Sequence, residues 1–174
     1  MNKLKKAVIA VLLISCCVSL TGCKMGEAIL FGMLISNGND SVPKDEICEY
    51  VSKHITQLSS FPYELYRETA EDEATEKRFI QNALGKDTIV KNVYRYGDGI
   101  IEFYCGGTGI VTSSTYCGFY FSENDVPNAL EFSNSAQFEQ TSEGVYEWRS
   151  EDRQKAFYTE RIQTNWFYYY MEWH

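Results

Sequence analysis

Histidine is nearly absent from this chain, with only His54 and His174 among 174 residues. His54 stands beside the apolar stripe of a predicted helix and reads as a packed or surface residue. Cys48 and His54 are six residues apart on that helix, which points them to nearly opposite sides and excludes a Cys–His dyad between them. The cysteines show no zinc-type spacing, so no metal site is expected. Gly97-Asp98-Gly99 and Gly106-Gly107-Thr108-Gly109 lack the lysine and the strand-to-helix setting of a phosphate loop, and hairpin turns explain both. Thr112-Ser113-Ser114-Thr115 has no G-x-S-x-G elbow around it. Glu123-Asn124-Asp125 is oxygen-rich but does not continue as a calcium loop. There is no internal repeat, no cofactor signature and no assignable catalytic residue.

Long apolar runs are equally scarce, and the one that exists is at the start. Lys3, Lys5 and Lys6 precede Ala7–Leu20, which is apolar apart from two serines and two cysteines. A short basic segment before an apolar run is the layout of an export signal. Residues 7–22 are too short for a permanent span, which needs about 20 apolar residues. An uncut anchor reaching through a second patch, Ala28–Ile35, would bury Lys24 and Glu27, at roughly 2.5–3.5 kcal/mol for each charge near the centre of a span. The run ends in Leu20-Thr21-Gly22-Cys23. This tetrad resembles the lipobox of bacterial lipoproteins: an aliphatic residue, two small ones, then cysteine. The resemblance implies that residues 1–22 are removed and that Cys23 becomes a lipidated N-terminus. Two or more acyl chains make anchoring stable, whereas one is marginal. The expected organisation is a signal over 1–22, a tether over 23–42 and one globular domain over 43–174. The expected location is the extracytoplasmic side of a cell membrane.

Basic charge is also short. Loss of residues 1–22 removes three lysines and no acid, leaving 13 basic against 24 acidic residues. Such a balance disfavours nucleic acid, which needs a basic footprint, and general adhesion to anionic lipid. A solvated acidic surface or a basic partner both suit it.

Helical periodicity covers Lys44–Leu58, with Ile47, Val51, Ile55 and Leu58 on one stripe, Ser41 as cap and Pro43 in the first turn. A second helix is expected over Thr69–Leu84, acidic at its start and closed by Gly85. From residue 88 the pattern is β: Thr88–Tyr96, Ile100–Gly107, Val111–Thr115 leading into Tyr116–Ser122, Gly144–Arg149, and Phe157–Trp173 as one long or two short strands. This predicts an α+β fold, two N-terminal helices on a mostly antiparallel meander of about five strands. By element order it resembles the cone-shaped nuclear-transport-factor-2-like and cystatin-like layouts.

Six cysteines occur. Cys16 and Cys17 leave with the signal and Cys23 takes the lipid, so Cys48, Cys105 and Cys117 remain. If Ile100–Gly107 and Thr115–Phe121 pair with positions summing to 222, Phe103 faces Phe119, Ile101 faces Phe121 and Cys105 faces Cys117. Opposed residues lie about 4.5–5.5 Å apart, within disulfide range. An exported domain can keep such a bond; two reduced, packed thiols are the alternative.

Two groups remain as sites. In Trp166–Trp173, alternation puts Trp166, Tyr168 and Tyr170 on one face and Phe167, Tyr169, Met171 and Trp173 on the other. One face serves the core. If the face carrying Trp166, Tyr168 and Tyr170 is open, it is a binding surface for a protein or glycan partner; a simple tyrosine coat is the plainer alternative. Glu102, Glu147 and Glu172 all lie on predicted strands, and two converging carboxylates would suit a glycan- or cell-wall-acting enzyme. Solvent-facing sheet positions explain the same residues. The leading expectation is a non-enzymatic, membrane-anchored binding or envelope-accessory domain, with an inhibitor or immunity role as one version.

Overall fold

The computed structural model describes residues 41–97, 99–110, 113–132 and 137–174. The expectations for the signal, Cys23 and the tether through residue 40 lie outside those residues. No helix among the described residues is long and apolar enough to cross a membrane.

Helix α1 (Lys44–Ser59) buries Ile47, Tyr50, Val51 and Leu58 and carries Asp45 and Glu46 in its first turn, where carboxylates offset the helix dipole. Pro43, not Ser41, is its N-cap, and no side chain caps it. Ser41 instead places Oγ 3.8 Å from the Cys117 sulfur. The helix bends at His54 (φ −110°, ψ 15°), whose ring stacks on Tyr50 at 4.4 Å. Helix α2 (Tyr63–Thr69) was not expected, since Pro62 reads as a break; here Pro62 is the N-cap of a second helix. So short a helix is not stable alone. It is held by buried Tyr66, which packs on Phe61 and Phe79. Helix α3 (Glu73–Leu84) starts later than expected because Asp72 caps it, accepting from the Thr75 amide at 2.8 Å. Gly85 ends it at φ 101°, a conformation that suits glycine.

The strands are β1 (Asn92–Tyr96), β2 (Ile100–Ile110), β3 (Ser113–Ser122), β4 (Glu139–Ser142), β5 (Val145–Arg149), β6 (Lys155–Gln163) and β7 (Trp166–Trp173), with a 3₁₀ turn at Leu130–Phe132. They form one antiparallel sheet in the order β1-β2-β3-β7-β6-β5-β4. The fold is α+β, with three helices and seven strands among the described residues instead of two and about five. The additional strands have plain causes. β4 is polar and wholly exposed, so it carries no alternation to detect. The Phe157–Trp173 segment folds back at Asn165, φ 67°. Asp125 ties that corner down by accepting from the Asn165 amide at 2.7 Å and from the Arg161 guanidinium. The oxygen-rich turn at residues 123–125 thus holds an internal cation.

Each face of the sheet carries a buried core. The helices cover a front core that includes Val93, Phe103, Cys105, Cys117, Phe119, Trp166 and Tyr168. Phe103 and Phe119 stack there with centroids 5.0 Å apart. The back core holds Ile100, Tyr120, Leu130, Phe157, Phe167, Tyr169 and Met171, with Phe132, Phe138, Trp148 and Trp173 packed around it. Six aromatic or sulfur-bearing residues in a row on β7, Trp166 to Met171, therefore serve two cores at once.

Candidate functional site

The predicted register holds for Phe103 opposite Phe119 and Ile101 opposite Phe121, then slips by one residue. Cys105 is the extra residue of a bulge, and Gly106 takes its place opposite Cys117. Gly106 adopts φ 148°, which an L side chain resists, so the bulge follows the glycine. The expected Cys105–Cys117 disulfide is not formed; both are buried thiols, and Cys48 is a half-buried third. The Cys117 thiol donates to the Gly106 carbonyl at 3.3 Å and that of Cys105 to the Phe103 carbonyl at 3.7 Å. Burial pushes both Cys48 and Cys105 above the usual thiol range, the opposite of what a nucleophile needs.

The expected aromatic surface is mostly core. Trp166 is 3% and Tyr168 6% exposed beneath the helices, and only Tyr170 is half-open. The reason is where α1 sits: it crosses β3, β6 and β7 and covers the end of β7 that carries Trp166 and Tyr168.

The three strand glutamates divide between the two faces. Glu102 belongs to the back and is buried. Tyr96 donates to its Oε2 at 2.7 Å, and Tyr169 donates to its Oε1. Burial raises its pKa to about 7, and the two tyrosine hydrogen bonds limit the rise. Tyr169 reaches it across β3 only because residue 118 is glycine; a methyl there would overlap the Tyr169 ring and the Phe103 carbonyl oxygen. Glu102 is thus a structural polar node inside a core. Nearby, a chain of buried hydrogen bonds runs from the Asn128 amide to Tyr120 Oη, on to Thr159 Oγ1 and from it to the Tyr168 carbonyl. It fastens the loop after β3 to the middle of the sheet.

Glu147 and Glu172 are on the front, beyond the reach of the helices. They line an open depression of about 200 Å³ together with Arg149, Ala156, Tyr158 and Tyr170. Register explains it: Glu147, Tyr158 and Tyr170 form one cross-strand row, and Arg149, Ala156 and Glu172 form the next. Ala156 is the small member in the middle, so the surface dips over it. Glu147 and Glu172 are two strands and one row apart, roughly 12 Å between Cα atoms by sheet spacing. At the upper rim Lys44, from the start of α1, pairs with Glu160. Tyr158 donates to the same carboxylate. Burial opposes ionisation of Glu160, but these two bonds outweigh it and hold its carboxyl below the ordinary range. At the lower rim His174 Nε2 stands 3.5 Å from Glu172.

Sequence reasoning named Glu147, Glu172 and Tyr170 but missed Tyr158, Ala156 and Arg149. A correct count of strands would have aligned them, since all three alternate onto the front face. Among the described residues no group of three or more His, Cys, Asp or Glu side chains is arranged to hold a metal ion. No family model, curated protein or solved structure matches the chain.

Proposed function

We propose that this protein is a lipid-anchored, extracytoplasmic binding domain without catalytic activity, held at a membrane through Cys23 and accessory to the cell envelope. The observation that carries the reading is the division of the strand carboxylates. Glu102 is locked into the back core by two tyrosines. Glu147 and Glu172 flank an open depression of about 200 Å³, smaller than the roughly 300–1,000 Å³ of typical small-molecule pockets. A surface of that kind suits a partner laid across it better than an enclosed reacting group.

The support for the anchor is the lipobox-like residues 20–23. Residues 23–40 precede Ser41 and give a reach of at most about 60 Å from the lipid, so a partner would be met close to the membrane. An inhibitor or immunity role against an envelope-directed enzyme or toxin is one version of this function.

In-cell crosslinking of the full-length protein, followed by affinity capture, tests the proposal. A specific partner recovered from the membrane fraction supports it; repeated capture of no specific partner counts against it. The one feature favouring catalysis is that Glu147 and Glu172 share a depression with two tyrosines. Release of soluble fragments from purified wall polymer or glycan, abolished in Glu147→Gln, would replace the binding function with a hydrolytic one.

A further inference from the structure

The uncovered part of the front face carries an unresolved charge conflict. Glu139 on β4 and Glu147 on β5 are direct cross-strand partners. Like charges directly opposed in an antiparallel pair destabilise it. Neither takes part in any ion pair among the described residues. Some other acids of this protein are matched, Glu160 with Lys44, Asp125 with Arg161, and Glu64 with Arg67 and Arg95, but the direct opposition of two carboxylates across strands is what sets Glu139 and Glu147 apart. Beside the unmatched pair lies the depression over Ala156, walled by the Tyr158 and Tyr170 rings and closed by Glu172. Aromatic faces beside carboxylates are the chemistry that receives an ammonium or guanidinium group. The same protein shows the preference internally, since the Lys155 ammonium lies over the rings of Phe132 and Trp173 at 4.8 and 4.7 Å on the back face.

We infer that the front face of β4–β7 is the docking surface for a basic segment of a partner protein, with a lysine or arginine side chain seated over Ala156 beside Tyr158 and Tyr170 and neighbouring basic groups neutralising Glu139 and Glu147. This rests on the binding function proposed above and names its surface and the chemistry of its partner. The choice of partner follows from charge: 24 acidic against 13 basic residues after loss of the signal attract a cationic partner at long range. Arg149, at the exposed rim, is placed to meet a carboxylate on the same partner and so fix its direction.

The test uses full-length protein in neutral detergent and calorimetric titration at low salt. The probes are a blocked eight-residue Lys-Thr repeat, the corresponding Glu-Thr repeat and an N-acetylglucosamine oligomer. The Lys-Thr peptide should bind and the other two should not. The double variant Glu139→Gln/Glu147→Gln should weaken binding about fivefold or more, as expected for the loss of two partly exposed charge contacts. Ala156→Phe, which fills the depression without changing charge, should weaken it similarly. Glu68→Gln/Glu71→Gln removes the same charge from exposed positions near α2 and α3 and should change binding less than twofold.

Equal losses in the two double variants would reduce the effect to bulk charge and overturn the assignment. So would absence of peptide binding to the parent protein, or binding of the sugar oligomer instead. A captured partner that still binds Glu139→Gln/Glu147→Gln would leave the binding function standing and remove only this surface.

Discussion

Replacing Glu102 by glutamine should raise stability at neutral pH and flatten its dependence on pH. Glu102 is 5% exposed, its partners are two tyrosine hydroxyls, and no cation among the described residues is paired with it. Its folded pKa of about 7 stands above the ordinary 4.5. The folded state therefore keeps the proton after the unfolded chain has lost it. The associated stability is fully present below about pH 4.5, declines as pH rises from there, and is gone above about pH 7. A gap of roughly 2.5 pH units at about 1.36 kcal/mol each makes the total on the order of 3 kcal/mol. That is a large share of the 5–15 kcal/mol typical of a domain. Burial also raises the carboxyls of Glu76 and Glu131, which adds to the same slope. Hydrogen bonds to Asp72, Asp125 and Asp152 lower theirs, but those losses come only as pH falls below the carboxylate range. In Glu102→Gln the amide oxygen accepts from one tyrosine and the amide nitrogen donates to the other, so the site stays satisfied without a charge. Urea unfolding of the full chain in detergent, followed by tryptophan fluorescence, reads the effect. With a urea slope of about 1–3 kcal/mol per molar, the midpoint at pH 8 should rise by about 1 M or more. At pH 4.5 the two proteins should be nearly equal. Parallel pH profiles for the two proteins, or a Glu102→Gln variant less stable at pH 8, would refute the reasoning.

Three further outcomes follow from the same packing. Gly118→Ala should cost about 2–4 kcal/mol, because the methyl displaces the Tyr169 ring and with it a hydrogen bond to a buried carboxyl; urea midpoints of variant and parent at pH 7 would show it. Thr159→Val leaves the Tyr120 hydroxyl and the Tyr168 carbonyl without their shared partner and should cost about 1–3 kcal/mol, where an unchanged midpoint would contradict the buried chain. In native protein an alkylating reagent should modify Cys48 slowly and leave Cys105 and Cys117 intact, and in urea without reductant all three should react. Modification of Cys48 alone in the unfolded, unreduced chain would mean that Cys105 and Cys117 are crosslinked after all.

Much of this fold is legible in one dimension because its strong signals are local. The stripe Ile47, Val51 and Leu58 marked α1, and Gly85 marked the end of α3, where it stands at φ 101°. The register of β2 against β3 followed from matching Phe103 with Phe119 and Ile101 with Phe121. What escaped depends on contacts distant in sequence or on elements without a pattern. α2 exists because Tyr66 finds Phe61 and Phe79, and β4 is polar throughout. The bulge at Cys105 is a one-residue effect that β periodicity cannot register. Glu102 alternates like a surface glutamate, and its burial comes from Tyr169, 67 residues away. The candidate site shows the same split. Glu147 and Glu172 were visible as strand carboxylates. Their meeting over Ala156 required β5, β6 and β7 to be aligned, which in turn depends on the corner at Asn165 and its hold on Asp125.

The most direct test of a tethered binding domain is the intact mass of the protein extracted from membranes. A mass equal to residues 23–174 plus acyl groups is the expected result and fixes the anchor at Cys23. A mass that retains residues 1–22 and carries no lipid would contradict it, and the apolar segment through Ile35 would then have to hold the chain in the membrane by itself.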